Sequence, residues 1–348
     1  MQAIAFTAAF QTAFTAPFQT AFTDRPDPVA GPGQALLAVR HVGLCGSDLN
    51  TFRGLNPLVS LPRIPGHEIG GVIKAVGAGV DLLPGRAAIV IPYTTCGECA
   101  ACRQGRVNAC RFNKTLGVQQ DGGLSAHIVV AADRLILNDR LPPDVLALVE
   151  PLSVGFHAVA RGRVAAAEVV VVLGGGMIGV GVILGALARG APVIAVEIAR
   201  PKPAMLRALG VEAVLDPTAC DLPAEVAALT GGLGPDVVVE AVGTPATFRA
   251  AVDLAACAGR VVCVGYAKAE VSCYTALFNL NERDIHGSRN ATRSDFEAVI
   301  GWLEANVALA RRLISKVFAF ADAVKAFDHR QDNRDDIFKI LVRVADAE

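Results

Sequence analysis

The chain has 348 residues, enough for two domains with substantial cores. Its 32 basic and 33 acidic residues leave a net charge of −1, and no basic tail or Lys/Arg cluster argues for nucleic acid. Nine cysteines is an odd number, which excludes complete internal disulfide pairing.

The N-terminus carries no basic residue before Arg25 and no continuous apolar stretch, so no secretory leader is expected and the cytoplasm is the expected compartment. The run Phe-Gln-Thr-Ala-Phe-Thr occurs at 10–15 and again at 18–23. Two copies are too few for a repeat architecture, and we assign the duplication no function. The segments 34–39, 71–76 and 87–91 read as strands between Gly/Pro turns, which predicts an irregular β-rich first domain.

Four cysteines then fall within fifteen residues, Cys96, Cys99, Cys102 and Cys110. This C-x2-C-x2-C-x7-C spacing suits a closed tetrahedral zinc site, in which four thiolates leave no position for a substrate. The predicted role is structural, in a lobe spanning 93–113. Two disulfides, unrelated thiols or an iron–sulfur cluster are the alternative readings. Cys220, Cys257, Cys263 and Cys273 lie in apolar sequence and read as core thiols.

From about residue 153 the pattern alternates. A helix at 152–161 leads to a strand at 168–173, a helix at 177–189, a strand at 193–197 and a helix at 202–209. A short strand near 214, a helix at 224–229, a strand at 237–240, a helix at 246–256 and a strand at 260–264 follow. Such alternation predicts a parallel sheet covered on both faces. The uncharged stretch 169–188 has membrane-spanning length. Its glycine triplet fits a buried strand turning into a helix better. A helix at 295–306 and a short α/β tail end the chain, and the tail either closes the sheet or returns to the first domain.

Gly174, Gly176 and Gly179, with Met177 and Ile178 between the last two, fit G-x-G-x-x-G at a strand-to-helix turn. Gly174 permits the tight turn, Gly176 lets the backbone approach a pyrophosphate, and Gly179 lets the helix pack closely. The helix N-terminus supplies amide donors for the phosphates. Glu197, at the end of the next strand, is placed to bond the adenosine ribose, which favours NAD over NADP; the nearby Arg200 and Lys202 weaken that preference.

Three further motifs complete the set: Gly43-Leu-Cys45-Gly-Ser47-Asp48, Pro65-Gly-His67-Glu68-Ile-Gly-Gly71 and Glu150-Pro-Leu-Ser-Val154. With the cysteine lobe and the glycine fingerprint they resemble, in order and over essentially the whole chain, the zinc-dependent medium-chain alcohol and polyol dehydrogenases. The resemblance implies an α/β fold. A GroES-like catalytic domain, discontinuous over 1–152 and 293–348, accompanies a doubly wound Rossmann NAD-binding domain over 153–292. It implies two zinc ions per chain, one catalytic and one structural, with NAD as the cofactor.

By the same resemblance Cys45 and His67 are catalytic zinc ligands, and the third is Glu68 or Glu150, which the sequence does not separate. Ser47 resembles the hydroxyl that relays the alcohol proton, and Asp48 the carboxylate that orients His67. Mixed S, N and O ligands leave an open position where a substrate oxygen is polarised and hydride passes to nicotinamide. Val242, Val264, Gly265 and Ser288 are expected cofactor contacts alongside the fingerprint and Arg200. His41, His127, His157, His286 and His329 match no ligand motif.

Glu150 and the segment 284–290 resemble polyol and hexonate enzymes, so the expected substrate is a sugar acid or polyol oxidised at a secondary alcohol. Arg53 and Arg289 are candidates to pair with its carboxylate. A simple alcohol dehydrogenase, a non-catalytic NAD-binding sensor and a zinc-free quinone or enoyl reductase are the competing readings. A homodimer or homotetramer is expected, with neither membrane nor nucleic acid as partner.

Overall fold

The structure is a computed structural model that describes residues 1–7 and 20–344. The first copy of the duplicated run and the first two residues of the second lie outside the described residues. The chain divides into two compact units, one of Met1–Glu150 with Ile300–Glu348 and one of Pro151–Val299.

In the first unit, β1 (Gln2–Phe6) and β2 (Thr20–Asp24) form an antiparallel pair. The long strand β3 (Gln34–Gly43) is followed by α1 (Gly46–Phe52), β4 (Glu68–Val76) and β5 (Ala87–Val90). Next come the short α2 (Ala100–Arg103), β6 (His127–Ala131), β7 (Leu135–Leu137) and α3 (Pro143–Leu146). Along β3 buried residues alternate with half-buried ones, as in a strand with one face on a core. That core gathers Phe6, Phe52 and Phe327, with Phe52 stacked on Phe327 at 5.3 Å.

α4 (Val149–Arg161) leads to the second unit, where β8 (Val170–Leu173), α5 (Met177–Leu187), β9 (Val193–Val196), α6 (Lys202–Ala208) and β10 (Ala213–Leu215) alternate. α7 (Leu222–Leu229), β11 (Val237–Glu240), α8 (Pro245–Leu254), β12 (Arg260–Cys263), α9 (Ala276–Asn281) and β13 (Asp284–Gly287) continue the alternation. The six strands are parallel and run β10-β9-β8-β11-β12-β13. Counted from β8 this is the order 3-2-1-4-5-6 of the doubly wound dinucleotide fold, with its switch point between β8 and β11. β8, β9 and β11 are buried along their whole length, which is why β8 and β9 are continuous Val/Ile/Leu/Ala runs; β11 is three valines closed by the buried Glu240, whose Oε1 accepts from the Val242 and Gly243 N–H groups.

The uncharged segment 169–188 therefore splits into β8 and α5. Among the described residues no helix is long and apolar enough to cross a membrane.

After α10 (Arg293–Ala305) and α11 (Val307–Arg311), the tail supplies β14 (Ile314–Ala319), α12 (Ala323–Asp332) and β15 (Lys339–Arg343). Its two strands join the first unit's sheet, ordered β14-β15-β3-β4-β5-β7 with β6 also on β3. Of the two options for the tail, it is the return to the first unit that the structure shows.

One reading of the cysteines is corrected. Cys257 and Cys273 are exposed, and Cys220 and Cys263 only half-buried. All four lie in or beside loops, where apolar sequence neighbours do not bury a side chain.

Candidate active site and metal centres

The sheet order explains how distant residues meet. β15, β3 and β4 are adjacent, so the end of β3, the start of β4 and the start of β15 converge at one edge of the sheet. Cys45 follows β3 and caps α1, Glu68 opens β4 directly after His67, and Lys339 opens β15. Gly43 sits opposite Glu68 in the register, and a Cβ there would lie 1.9 Å from Glu68 Oε2. Glycine at 43 is what leaves room for this carboxylate.

The ligand atoms of Cys45, His67 and Glu68 all lie within 4.8 Å of one another. Asp48 ties the group together. Its Oδ2 accepts the Cys45 N–H at 2.9 Å, its Oδ1 accepts the Gly66 N–H at 3.3 Å, and that same oxygen is 3.7 Å from His67 Nδ1. Burial pushes the Asp48 carboxyl above its usual range, against the pull of His67. Burial opposes charge on His67, but the negative groups of Asp48, Cys45 and Glu150 outweigh it and hold the imidazole well above its ordinary value. His67 Nδ1 is buried without a hydrogen-bond partner among the described residues.

Glu150, the second residue of α4, is buried outside that triad and accepts a hydrogen bond from the Tyr93 hydroxyl. Burial raises its pKa, as does the charge of Glu68, while His67, Tyr93 and Lys339 oppose the rise. Burial and the Glu150 charge likewise push the Tyr93 hydroxyl well up. Glu68 is fully buried, and both its oxygens accept from Lys339 Nζ at 2.6 Å. A half-buried thiol crowded against a buried imidazole and buried carboxylates forms a donor set that fits zinc. Tyr93 and Lys339 escaped the sequence analysis. A lysine heading an apolar strand was the one available signal for the second.

The lobe cysteines also converge. Their four Sγ atoms lie within 4.8 Å of one another, and Cys110 and Cys96 are 3.6 Å apart. Four thiolates about 2.3 Å from zinc stand about 3.8 Å from each other, so the spacing fits the ion. All nine cysteines are unpaired thiols, which sets the disulfide reading aside. Backbone N–H groups of Cys96 and Cys99 point at the sulfurs of Cys110 and Cys96. The backbone N–H of Cys102 is the largest influence lowering Cys99, to about 6, whereas burial lifts Cys102 to about 11.

In the second unit the expected cofactor residues line the C-terminal edge of the parallel sheet. Gly174 follows β8 at φ +99°, and a Cβ at 179 would stand 1.8 Å from its carbonyl oxygen. Nothing lies within 4 Å of the position a Cβ would take on Gly176, which caps α5 without a side-chain bond. That open cradle over helix amides, with Met177 and Ile178 opening the helix, fits a pyrophosphate.

Glu197, after β9, is buried and accepts from the Gly175 and Ala199 N–H groups at 2.9 and 2.8 Å, with Lys202 3.8 Å away. Val242 lies against Gly174, Gly265 against Gly243, and Val264 follows β12. Ser288 follows β13, with its Oγ buried and unpartnered among the described residues. Arg200 stands in the loop before α6, and Arg289 lies just beyond β13. His157, without a ligand motif, pairs with Asp295 at 2.9 Å in this unit.

Gly179→Val is expected to destabilise the protein by about 3 kcal/mol through overpacking against the residue-174 backbone. NADH affinity should fall with it, by roughly tenfold. Calorimetry with NADH and a thermal melt check both, and wild-type affinity would remove the fingerprint from the cofactor site.

Two family models match the chain: the alcohol dehydrogenase GroES-like domain over residues 31–140, and the zinc-binding dehydrogenase over residues 178–305. The L-galactonate-5-dehydrogenase of Escherichia coli K12 is 33% identical over 319 residues, covering 91% of this chain and 94% of that protein. An alcohol dehydrogenase, RspB, from Escherichia coli CFT073 with NADH superposes with a TM-score of 0.89 at 26% identity, covering 99% of both chains. A zinc-binding dehydrogenase from Sinorhizobium meliloti 1021 bound to NADP gives 0.86 at 27% identity, again over 99% of both. The chain belongs to the zinc-binding alcohol dehydrogenase family, and it is a zinc-dependent oxidoreductase that uses NAD(P).

Proposed function

We propose that the chain oxidises a secondary alcohol of a sugar acid or polyol, of the L-galactonate or L-gulonate type, and passes hydride to NAD. The observation that carries the reading is the meeting of half-buried Cys45 with buried His67 and Glu68 within 4.8 Å, beside buried Glu150. Similarity to the L-galactonate-5-dehydrogenase supports the substrate class.

Cys45, His67 and Glu68 hold the catalytic zinc. Proximity favours Glu68 as the third ligand, with Glu150 acting on His67 through its charge. When bound, zinc supplies Lewis acidity to the substrate oxygen and the nicotinamide supplies the hydride acceptor. Asp48 orients the His67 ring, and Ser47 takes up the alcohol proton. Tyr93 fixes one oxygen of Glu150 by donating a hydrogen bond to it. The backbone around Gly174, Gly176 and Gly179 binds the pyrophosphate. The Glu197 carboxylate meets the ribose and repels a 2′-phosphate, which sets NAD above NADP. Arg53 and Arg289 are the candidates for the substrate carboxylate.

Cys96, Cys99, Cys102 and Cys110 hold the structural zinc. Metal-bound thiolates need a reducing compartment such as the cytoplasm. Exposed Tyr266, Tyr274 and Leu280 offer apolar surface for a homodimer or homotetramer, which sedimentation reads.

Incubating zinc-loaded protein and NAD with hexonates, hexitols and simple alcohols tests the function. NADH should form with a polyhydroxy compound. Turnover of primary alcohols alone would overturn the substrate class, and no substrate-dependent NADH at all would favour the sensor.

A further inference from the structure

We propose that Arg53, Arg330 and Arg334 form an oxyanion-binding site on the first unit that selects acid-terminated polyols over neutral ones. The proposal rests on the polyhydroxy-alcohol reading above and adds two arginines to the one expected from sequence.

The geometry begins with helix packing. Phe52, the last residue of α1, stacks on Phe327 of α12. Positions 327, 330, 331 and 334 recur at helical spacing, so Arg330 and Gln331 share the face of α12 that meets the end of α1, with Arg334 just past its C-terminus. Arg53 caps α1, and its Nε donates to Gln331 Oε1 at 3.1 Å. Arg330 Nε is buried with no hydrogen-bond partner among the described residues. Burial, then the charges of Arg334 and Arg330, depress the Arg53 guanidinium.

Acidic residues are close in sequence: Asp328, Asp332, Asp335 and Asp336. Yet among the described residues no ion pair joins any carboxylate to these three arginines, although ten ammonium or guanidinium groups are paired with carboxylates elsewhere. Three guanidiniums held together without a counter-charge repel one another. An oxyanion relieves that repulsion and matches their planar donor forks.

The placement also suits the chemistry. Cys45 caps the start of α1 and Arg53 its end. Eight positions at a 1.5 Å rise set them about 12 Å apart, a span that an extended six-carbon acid and an arginine side chain cover together. The shared ligand chemistry is a carboxylate or a phosphate ester at the far end of a polyol.

The test titrates the zinc-loaded, NADH-bound enzyme with L-galactonate and, separately, with inorganic phosphate. It compares wild type with Arg53→Gln, Arg330→Gln and Arg334→Gln. Arg334 is exposed, so its variant guards against a folding failure. Anion affinity should fall by roughly tenfold or more per substitution, the weight of one charge-assisted contact. The loss of kcat/KM on L-galactonate should exceed the loss on galactitol by a similar factor.

Weakened L-galactonate binding assigns the carboxylate class, and weakened phosphate binding alone assigns the phosphate ester. If no polyhydroxy compound is turned over, the titration still reads the site by itself, and lost anion affinity upholds it while the functional reading fails. Unchanged affinity for both anions in all three variants overturns the proposal. So does equal loss on acid and hexitol, or an equal loss of NADH affinity.

Discussion

Cys45→Ser should abolish turnover, lowering kcat/KM by roughly a thousandfold or more, while NADH affinity stays near wild type. The size follows from losing several kcal/mol of charge stabilisation at the reacting oxygen. Ser is a poor exchange for a thiolate, because a neutral hydroxyl brings no negative charge to a cation that, in the proposed site, shares one imidazole and one carboxylate. The cofactor readout should hold because the glycine fingerprint belongs to the second unit, whereas Cys45 belongs to the first. Metal analysis sharpens the result. Zinc content should fall from two per chain to one, the lobe of Cys96, Cys99, Cys102 and Cys110 keeping its own. Wild-type activity, or loss of both ions, would remove Cys45 from the catalytic centre.

What could be read from sequence was chemistry whose geometry is local. Gly174 and Gly179 declare a turn that other residues do not permit, since 174 sits at φ +99° and a Cβ at 179 meets the 174 carbonyl at once. The lobe cysteines are close in the chain, so their meeting needs no knowledge of the fold. The buried strands of the second unit were equally plain, because a strand covered on both faces reads as a near-continuous apolar run. β13 was not, since an exposed edge strand of four residues is under no such demand.

Contacts made by the tertiary path were silent. Glu68 and Lys339 are 271 positions apart, and they meet only because β15 lies beside β3. Tyr93 reaches Glu150 across 57 positions for the same kind of reason. The exposed Cys257 and Cys273 show the converse error, in which apolar neighbours in sequence were mistaken for a buried environment.

Lys339→Met carries the second large effect. Lys339 and Glu68 are 2% and 0% exposed, and Lys339 is the one ion-pair partner of Glu68 among the described residues. Removing the cation leaves a carboxylate in a dry interior, and breaking a buried pair from one side costs about 3 kcal/mol. The loss should appear as a lower urea midpoint in metal-free protein. Lys339→Met with Glu68→Gln should recover most of it, because the stranded charge is gone, and the double-mutant cycle isolates that coupling. Zinc makes the experiment more informative. If Glu68 is the third ligand, the ion replaces the missing ammonium as its counter-charge, so Lys339→Met should cost markedly less in zinc-loaded protein than without metal. An equal cost in both states would detach Glu68 from the metal and leave Glu150, steadied by Tyr93, as the ligand beside Cys45 and His67.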